Sequence, residues 1–163
     1  MTIRAARAAD AAAIAAIYAP AVLTGTSSFE MAAPDAAEMA ARMARVQDRG
    51  WPWLVHETMG TVDGYCYAAQ FRDRPAYAHS AETSIYVAAA AHRTGIGKAL
   101  LMALDGVAAA AGFRQLIAVI GDSGNTASIR LHTACGYVHA GQLHQVGEKF
   151  GRLLDVVYMQ KSL

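Results

Sequence analysis

His92-Arg93-Thr94-Gly95-Ile96-Gly97-Lys98 stands between an apolar run that alternates as a strand does and an apolar run with the period of a helix. Its two glycines permit a tight curl of the backbone. Amides curled at the start of a helix converge on one point, where they bind phosphate oxygens. Arg93 and Lys98 bring positive charge to the same place. The stretch therefore reads either as a cradle for a phosphate-bearing cofactor or as a plain strand-to-helix turn that needs glycine for geometry alone. Two commoner phosphate motifs are excluded. A P-loop requires Gly five residues before Gly97 and Ser or Thr after Lys98, where this chain has His92 and Ala99. A dinucleotide fingerprint requires Gly or Ala where Leu100 stands.

Outward from this turn, the chain alternates helix and strand. Ahead of it, Trp53–Glu57, Val62–Phe71 and Ser84–Ala88 read as strands. The first two are joined by a hairpin near Met59-Gly60 and Asp63-Gly64, and Arg72–Ala76 is a loop. After it, Lys98–Ala111 carries Leu100, Leu101, Leu104, Val107 and Ala108 at helical spacing and is closed by Gly112. Gln115–Ile120 is a buried strand and Gly121–Gly124 a turn. A helix capped by Asn125 or Thr126 follows and ends at Gly136. Two last strands run over Tyr137–Val146 and Leu153–Gln160. At the other end, Thr2–Ala6 is a strand. A helix starts at Asp10 with Ile14, Ile17 and Tyr18 on one face, and Pro20 kinks or ends it. Thr24–Glu30 is a loop whose one large apolar group is Phe29. Asp35 and Glu38 form a capping box for a helix with Met39, Met43 and Val46 on one face, stopped by Gly50. Strands at both ends with strand–helix alternation between them predict an α/β fold with a mixed sheet.

The bulk composition narrows the class. At 163 residues with 55% hydrophobic residues, the chain suits one domain, residues 1–163, with a sizeable core. A formal net charge of +1 supplies no global field for nucleic acid or an acidic membrane surface. Cys66 and Cys135 make no disulfide framework and suit a reducing cytoplasm. Asp10 and Asp105 interrupt the Ala-rich stretches, so no membrane span is expected, and the N-terminus lacks the greasy core of a signal peptide.

With the elements placed, His92–Lys98 resembles the pyrophosphate loop of the GNAT acetyltransferases, whose pattern is Gln or Arg, two residues, Gly, one residue, then Gly or Ala. His92 departs from the first position, which weakens one side-chain contact and leaves the amide cradle. Asn125-Thr126-Ala127-Ser128-Ile129-Arg130-Leu131-His132 with Gly136-Tyr137 resembles a second signature of that superfamily. Tyr65, Tyr67, Arg72, Arg74, Tyr77, Ala81-Glu82, Ile85-Tyr86-Val87 and Gln145–Arg152 resemble the phosphinothricin and methionine-sulfone N-acetyltransferases, over essentially the whole chain. The resemblance implies a single domain with a mixed, mostly antiparallel sheet flanked by about four helices and splayed between the fourth and fifth strands. It implies a homodimer that uses acetyl-CoA, without a metal, to acetylate the α-amine of a small amino acid or analogue.

Such a reaction needs a positioned base, a donor at the thioester oxygen and a held cosubstrate. The resemblance makes Glu82 the candidate base, against an ordinary solvated Glu on a strand edge. It makes His132 the candidate proton donor to the departing thiolate, against a satisfied core histidine. Cosubstrate contacts are expected from Ile85, Tyr86, Val87, Arg93, Thr94, Gly95, Ile96, Gly97, Lys98, Asn125 and Ser128, the amides of Ile85 and Val87 pairing with the pantetheine arm as a strand would. Arg93 and Lys98 stand open to being solvated charges, and Asn125 to being only a helix cap. Acceptor contacts are expected from Phe29, Arg72, Arg74, Pro75, Ala76, Tyr77 and Glu82, the two arginines taking a carboxylate, phosphinate or sulfone oxygen. A solvated loop with Arg74 paired to Asp73 is the plain alternative. Three rival functions remain to be tested: an acetyl-CoA sensor without activity, a peptide N-terminal acetyltransferase, and a serine hydrolase built on Gly121-Asp122-Ser123-Gly124. Asn125 spoils the hydrolase pattern.

Overall fold

The computed structural model describes residues 1–163. Seven strands form one sheet: β1 (Thr2–Ala5), β2 (Trp53–Thr58), β3 (Thr61–Gln70), β4 (Ser80–Val87), β5 (Gln115–Gly121), β6 (Val138–Lys149) and β7 (Arg152–Ser162). Their spatial order is β1-β2-β3-β4-β5-β7-β6, and β4–β5 is the one parallel pair. Four α-helices flank the sheet: α1 (Ala11–Leu23), α2 (Ala36–Gln47), α3 (Ile96–Ala110) and α4 (Thr126–Ala134).

Strand alternation divides the core between the two faces of the sheet. Leu54, Cys66, Ala68, Ala81, Leu116 and Ala118 face α3, whose Leu100, Leu101 and Leu104 are fully buried against them. Trp53, Val55 and Tyr65 face the opposite way, onto Ile14, Tyr18 and Val22 of α1 and Met39 and Met43 of α2. Truncating any of the three buried leucines to alanine removes about 2–5 kcal/mol.

Several local expectations are corrected. Pro20 does not end α1, which runs to Leu23. Its carbonyl instead closes the helix, accepting from the amides of Thr24 and Gly25 and from the Thr24 hydroxyl. The capping box is half made. Asp35 accepts from the Glu38 amide at 2.8 Å, but the Glu38 carboxylate is taken by Arg42 and Arg45. The first hairpin turns on Met59-Gly60, both at positive φ, while Asp63-Gly64 lies inside β3. Phe150-Gly151 repeats that geometry between β6 and β7. Helix α3 begins at Ile96 rather than Lys98, and β4 begins at Ser80 rather than Ser84. Glu82 therefore lies inside a central strand, paired with Ala69 on one side and Ile117 on the other.

The β4–β5 ladder runs only from Ser80↔Gln115 to Thr83↔Ala118. Beyond it β4 continues to Val87 along β3, and β5 continues to Gly121 along β7. The sheet opens between them. Ser80 and Ala88 both bond across to β3, through Phe71 N–H to Ser80 O at 2.9 Å and Ala88 N–H to Asp63 O at 2.8 Å. Main-chain groups alternate sides along a strand, so those of Ile85 and Val87 face the opening.

Candidate active site

The turn into α3 lies beside this opening. Arg93 has φ 63° and Gly95, the N-cap of α3, has φ 90° and ψ −6°. Thr94 Oγ1 donates to Ala91 O at 2.7 Å and ties the turn down. None of the amides from Arg93 to Lys98 has a protein acceptor; Ala99 is the first to bond, to Gly95 O at 3.0 Å. Six successive donors at the start of a fifteen-residue helix, with Arg93 and Lys98 among them, suit an anionic phosphate group. The two glycines serve different ends. Gly95 adopts a backbone conformation that other residues rarely take. A Cβ on Gly97 would stand 3.0 Å from Leu131 Cδ2, so Gly97 lets α3 approach α4. His92 turns back and bonds Val87 O through Nε2 at 2.9 Å.

On the other face of the sheet is a cleft of about 410 Å³. Trp53, Tyr65, Tyr67, Glu82, Ser84 and Tyr86 line its floor from β2, β3 and β4; Val119, Gly121 and Val156 line the far side. Tyr18, Arg42 and the loop residues Ser27–Glu30 complete the wall. Trp53 stacks on Tyr67 with centroids 4.1 Å apart, and Tyr65 on Tyr86 at 5.6 Å. Glu30 accepts two bonds from Arg42, at 2.7 and 3.0 Å, and one from the Tyr18 hydroxyl at 2.8 Å. Arg42 holds the Glu30 carboxyl below the usual carboxylate range, and burial pushes the Tyr18 phenol up to about 12. Glu82 is half-buried on the cleft wall. Burial raises its pKa, and the Arg72 guanidinium, 4.0 Å away, pulls it part of the way back.

Of the expected acceptor residues, Phe29 and Glu82 line the cleft, and Arg72 stands beside Glu82 with its guanidinium 4.0 Å from the Phe71 ring. Arg74, Pro75, Ala76 and Tyr77 are exposed and lie outside the lining. Arg74 makes no ion pair with Asp73, and Tyr77 meets Phe71 edge-on. Sequence reasoning did not assign Glu30, Arg42, Ser84 or Trp53 to the cleft. Glu30 and Arg42 meet only once α2 folds back over the loop after α1. The alternation of Tyr65 and Tyr67 along β3, with Trp53 paired to Tyr67 on the same face of the sheet, was the available signal.

His132 lies in the α3–α4 layer, on the opposite side of the sheet from Glu82. It is 2% exposed. Its Nδ1 donates to Ser128 O at 2.9 Å, and Nε2 is buried with no partner, its ring edge-on to Tyr137 at 5.0 Å. Burial lowers its pKa from the ordinary 6.5. A neutral imidazole that spends its proton on Ser128 has only a lone pair at Nε2, so in this state it cannot donate to a thiolate. The sign of the shift yields a stability prediction. Above pH 6.5 the imidazole is neutral in folded and unfolded chains alike and costs nothing. As pH falls through that value the unfolded chain gains the proton before the folded one, and stability drops. Thermal unfolding of wild type and His132→Gln from pH 8 to pH 5 will show the wild type losing more stability; parallel curves would count against a buried neutral imidazole. Asn125 Oδ1 caps α4, accepting from Ser128 N at 3.2 Å. The serine-hydrolase reading fails here. Ser123 Oγ donates to Asp155 Oδ2 at 2.9 Å, and His144 approaches that same carboxylate rather than the hydroxyl, so the Ser–His contact of a triad is missing. No three His, Cys, Asp or Glu side chains are grouped to hold a metal ion, and no helix is long and apolar enough to cross a membrane.

A sheet opened beside free helix-terminal amides is the arrangement in which an acyl-CoA arm can pass through the protein. The acetyltransferase (GNAT) domain family matches residues 3–158. The chain belongs to the GNAT acetyltransferase family. Among its GNAT relatives, the phosphinothricin N-acetyltransferase of Alcaligenes faecalis is 51% identical, the match covering 99% of this chain and 82% of that protein. The L-methionine sulfoximine/L-methionine sulfone acetyltransferase of Salmonella typhimurium is 39% identical over 100% of this chain and 95% of its own. A GNAT superfamily phosphinothricin acetyltransferase from Sinorhizobium meliloti, solved in complex with acetyl-CoA, superposes with a TM-score of 0.94 at 44% identity, covering 99% of this chain and 88% of that one.

Proposed function

We propose that this GNAT enzyme acetylates the α-amine of a small L-amino acid or analogue of the phosphinothricin, methionine sulfone and methionine sulfoximine class. The observation that carries this reading is the opening between β4 and β5. It joins the free amides of Arg93–Lys98 on one face to the cleft holding Glu82 on the other. The residues fit acetyl-CoA. Arg93, Lys98 and the six amides hold its phosphates, and the main chain of Ile85 with the Val87 amide offers a strand edge to its amide-bearing arm, the Val87 carbonyl being bonded by His92. Acetyl-CoA supplies the acyl group as an activated thioester.

Glu82 takes one proton from the acceptor's ammonium group and frees its lone pair. Burial raises its pKa, which makes it a stronger base than an ordinary solvated carboxylate. The proton balance closes without His132. The amine nitrogen, once neutral, carries two hydrogens; one remains on the amide and one leaves with the thiol. Arg72 receives the acceptor's carboxylate or oxyacid oxygen, since Arg42, the other cation at the cleft, is engaged by Glu30 and Glu38.

Thiol release with phosphinothricin, methionine sulfone, methionine sulfoximine and an Ala-initiated peptide tests the reading. Turnover is expected with the amino acids and not with the peptide. Tight acetyl-CoA binding without turnover on any amine would make the protein a sensor instead. We place the enzyme in the cytoplasm, where both its cysteines are free and buried, and infer a role in antibiotic or herbicide resistance, since acetylation blocks the acceptor's amine. We further propose a homodimer built on the outer β6–β7 hairpin, where Leu143, Val146, Phe150 and Leu153 are each about half-exposed. Sedimentation will return a dimer for wild type and a monomer for Leu143→Asp with Leu153→Asp; a monomeric wild type would refute this.

A further inference from the structure

The loop after α1 crosses from the β3–β4 side of the cleft to the β5–β6 side and is pinned at each step. Thr26 Oγ1 donates to Asp122 Oδ2 at 2.7 Å. Ser28 O accepts from Lys149 Nζ at 2.7 Å, and the Tyr18 and Ser28 hydroxyls stand 2.6 Å apart. Lys149 is 2% exposed and spends its ammonium on the carbonyls of Ser28 and Ala21. Glu30 is held by Arg42. The backbone on both sides of Phe29 is therefore fixed, and the position of its ring depends on what surrounds it.

Two glycines surround it. A Cβ on Gly121 would lie 3.1 Å from Phe29 Cε1, and one on Gly147 would lie under 3.0 Å from Cδ2, Cε2 and Cζ. Gly147 is brought beneath the ring by the register shift in β6 between Leu143 and Gly147, where Gln145 has φ 55° and its amide is fixed on Asp155 Oδ1 at 2.9 Å. Gly147 itself does not have a positive φ, so its backbone conformation is open to any residue. What its place demands is the missing side chain. Phe29 and Gly121 line the cleft, whereas Gly147 lies behind the ring.

We propose that Gly147 is a specificity-determining position: the space it leaves holds the Phe29 ring back and thereby sets how long an acceptor the cleft admits. The proposal rests on the amino-acid acceptor reading above. A methyl group at 147 drives the ring away from β6, toward Gly121 and into the cleft. The shorter cleft then discriminates against one methylene of acceptor length, a difference worth about tenfold or more in kcat/KM.

The test compares L-methionine sulfone with S-methyl-L-cysteine sulfone, one methylene shorter, in wild type, Gly147→Ala, Phe29→Ala and the double variant. Alanine at 147 is expected to shift kcat/KM toward the shorter acceptor by about tenfold, with the acetyl-CoA KM unchanged. In the double variant the shift disappears, because no ring remains to be displaced. An unmoved ratio in Gly147→Ala, or a shift that persists without the ring, overturns the proposal. Should alanine at 147 prevent folding, Phe29→Leu carries the test: its shorter side chain must move preference toward the longer acceptor, and an unmoved ratio again overturns the proposal. A wild type inert toward every amino acid would sink the acceptor reading and this inference together. An active wild type with an unresponsive ratio sinks the inference alone.

Discussion

Glutamine in place of Glu82 is expected to lower turnover by about two orders of magnitude or more while leaving the acetyl-CoA KM within about twofold. The substitution keeps the shape of the side chain and removes only its ability to take a proton. The structure favours a large effect because the cleft lining offers no other free carboxylate: Glu30 is bound by both terminal nitrogens of Arg42 and by Tyr18. A pH profile supplies the second readout. Burial raises the Glu82 pKa, so kcat/KM falls as pH drops through a value above the ordinary 4.5. Arg72 opposes that rise from 4.0 Å. Arg72→Ala therefore moves the acid limb to higher pH, and Glu82→Gln abolishes it. A Glu82→Gln variant with the turnover and the acid limb of wild type would remove Glu82 as the base.

Valine in place of Gly95 is expected to raise the acetyl-CoA KM by about one to two orders of magnitude, with turnover at saturation close to wild type. Gly95 has φ 90°, and a Cβ there meets no protein atom within 4 Å. The penalty is thus backbone strain rather than a clash, about 1–3 kcal/mol for a residue other than glycine held there. The turn can relieve that strain only by swinging its amides off their common target, and converts it into lost cosubstrate affinity. Thermal stability should change little, since none of those amides bonds to protein. A KM for acetyl-CoA equal to that of wild type would show that this turn does not hold the phosphates.

What was legible beforehand follows from how far apart the interacting residues lie. The turn into α3 was legible because Gly95, Ile96 and the start of α3 are neighbours in sequence, and local backbone geometry depends on neighbours. The strands β2, β3 and β5 were legible from alternation or apolar runs. The start of β4 was not: Ser80, Glu82 and Thr83 fell outside the strand read from Ser84, because their strand character comes from pairing with β3 and β5 on either side. Pro20 misled for a related reason. Its missing amide forgoes the helix bond to the Ala16 carbonyl, yet α1 runs on to Leu23, and the Pro20 carbonyl is consumed by the residues that close the helix. His132 was legible as a residue of interest but not as to its tautomer, which is decided by Ser128 O within α4 and by burial under the sheet.

Alone, the order of residues determined most of the elements, the mixed sheet and the glycine-bearing turn into α3, each of which depends on conformational preferences or hydrophobic period within a short window. The candidate carboxylate at position 82 came from the family resemblance. Only the folded chain decided that Glu82 and His132 stand on opposite faces, that Arg42 is already neutralised by Glu30, and that Gly147 makes room for Phe29. Those relations join residues 12 to 118 positions apart, as from Glu30 to Arg42 and from Phe29 to Gly147. They exist only after packing has brought distant segments together, where steric exclusion and the loss of water fix what each side chain can do.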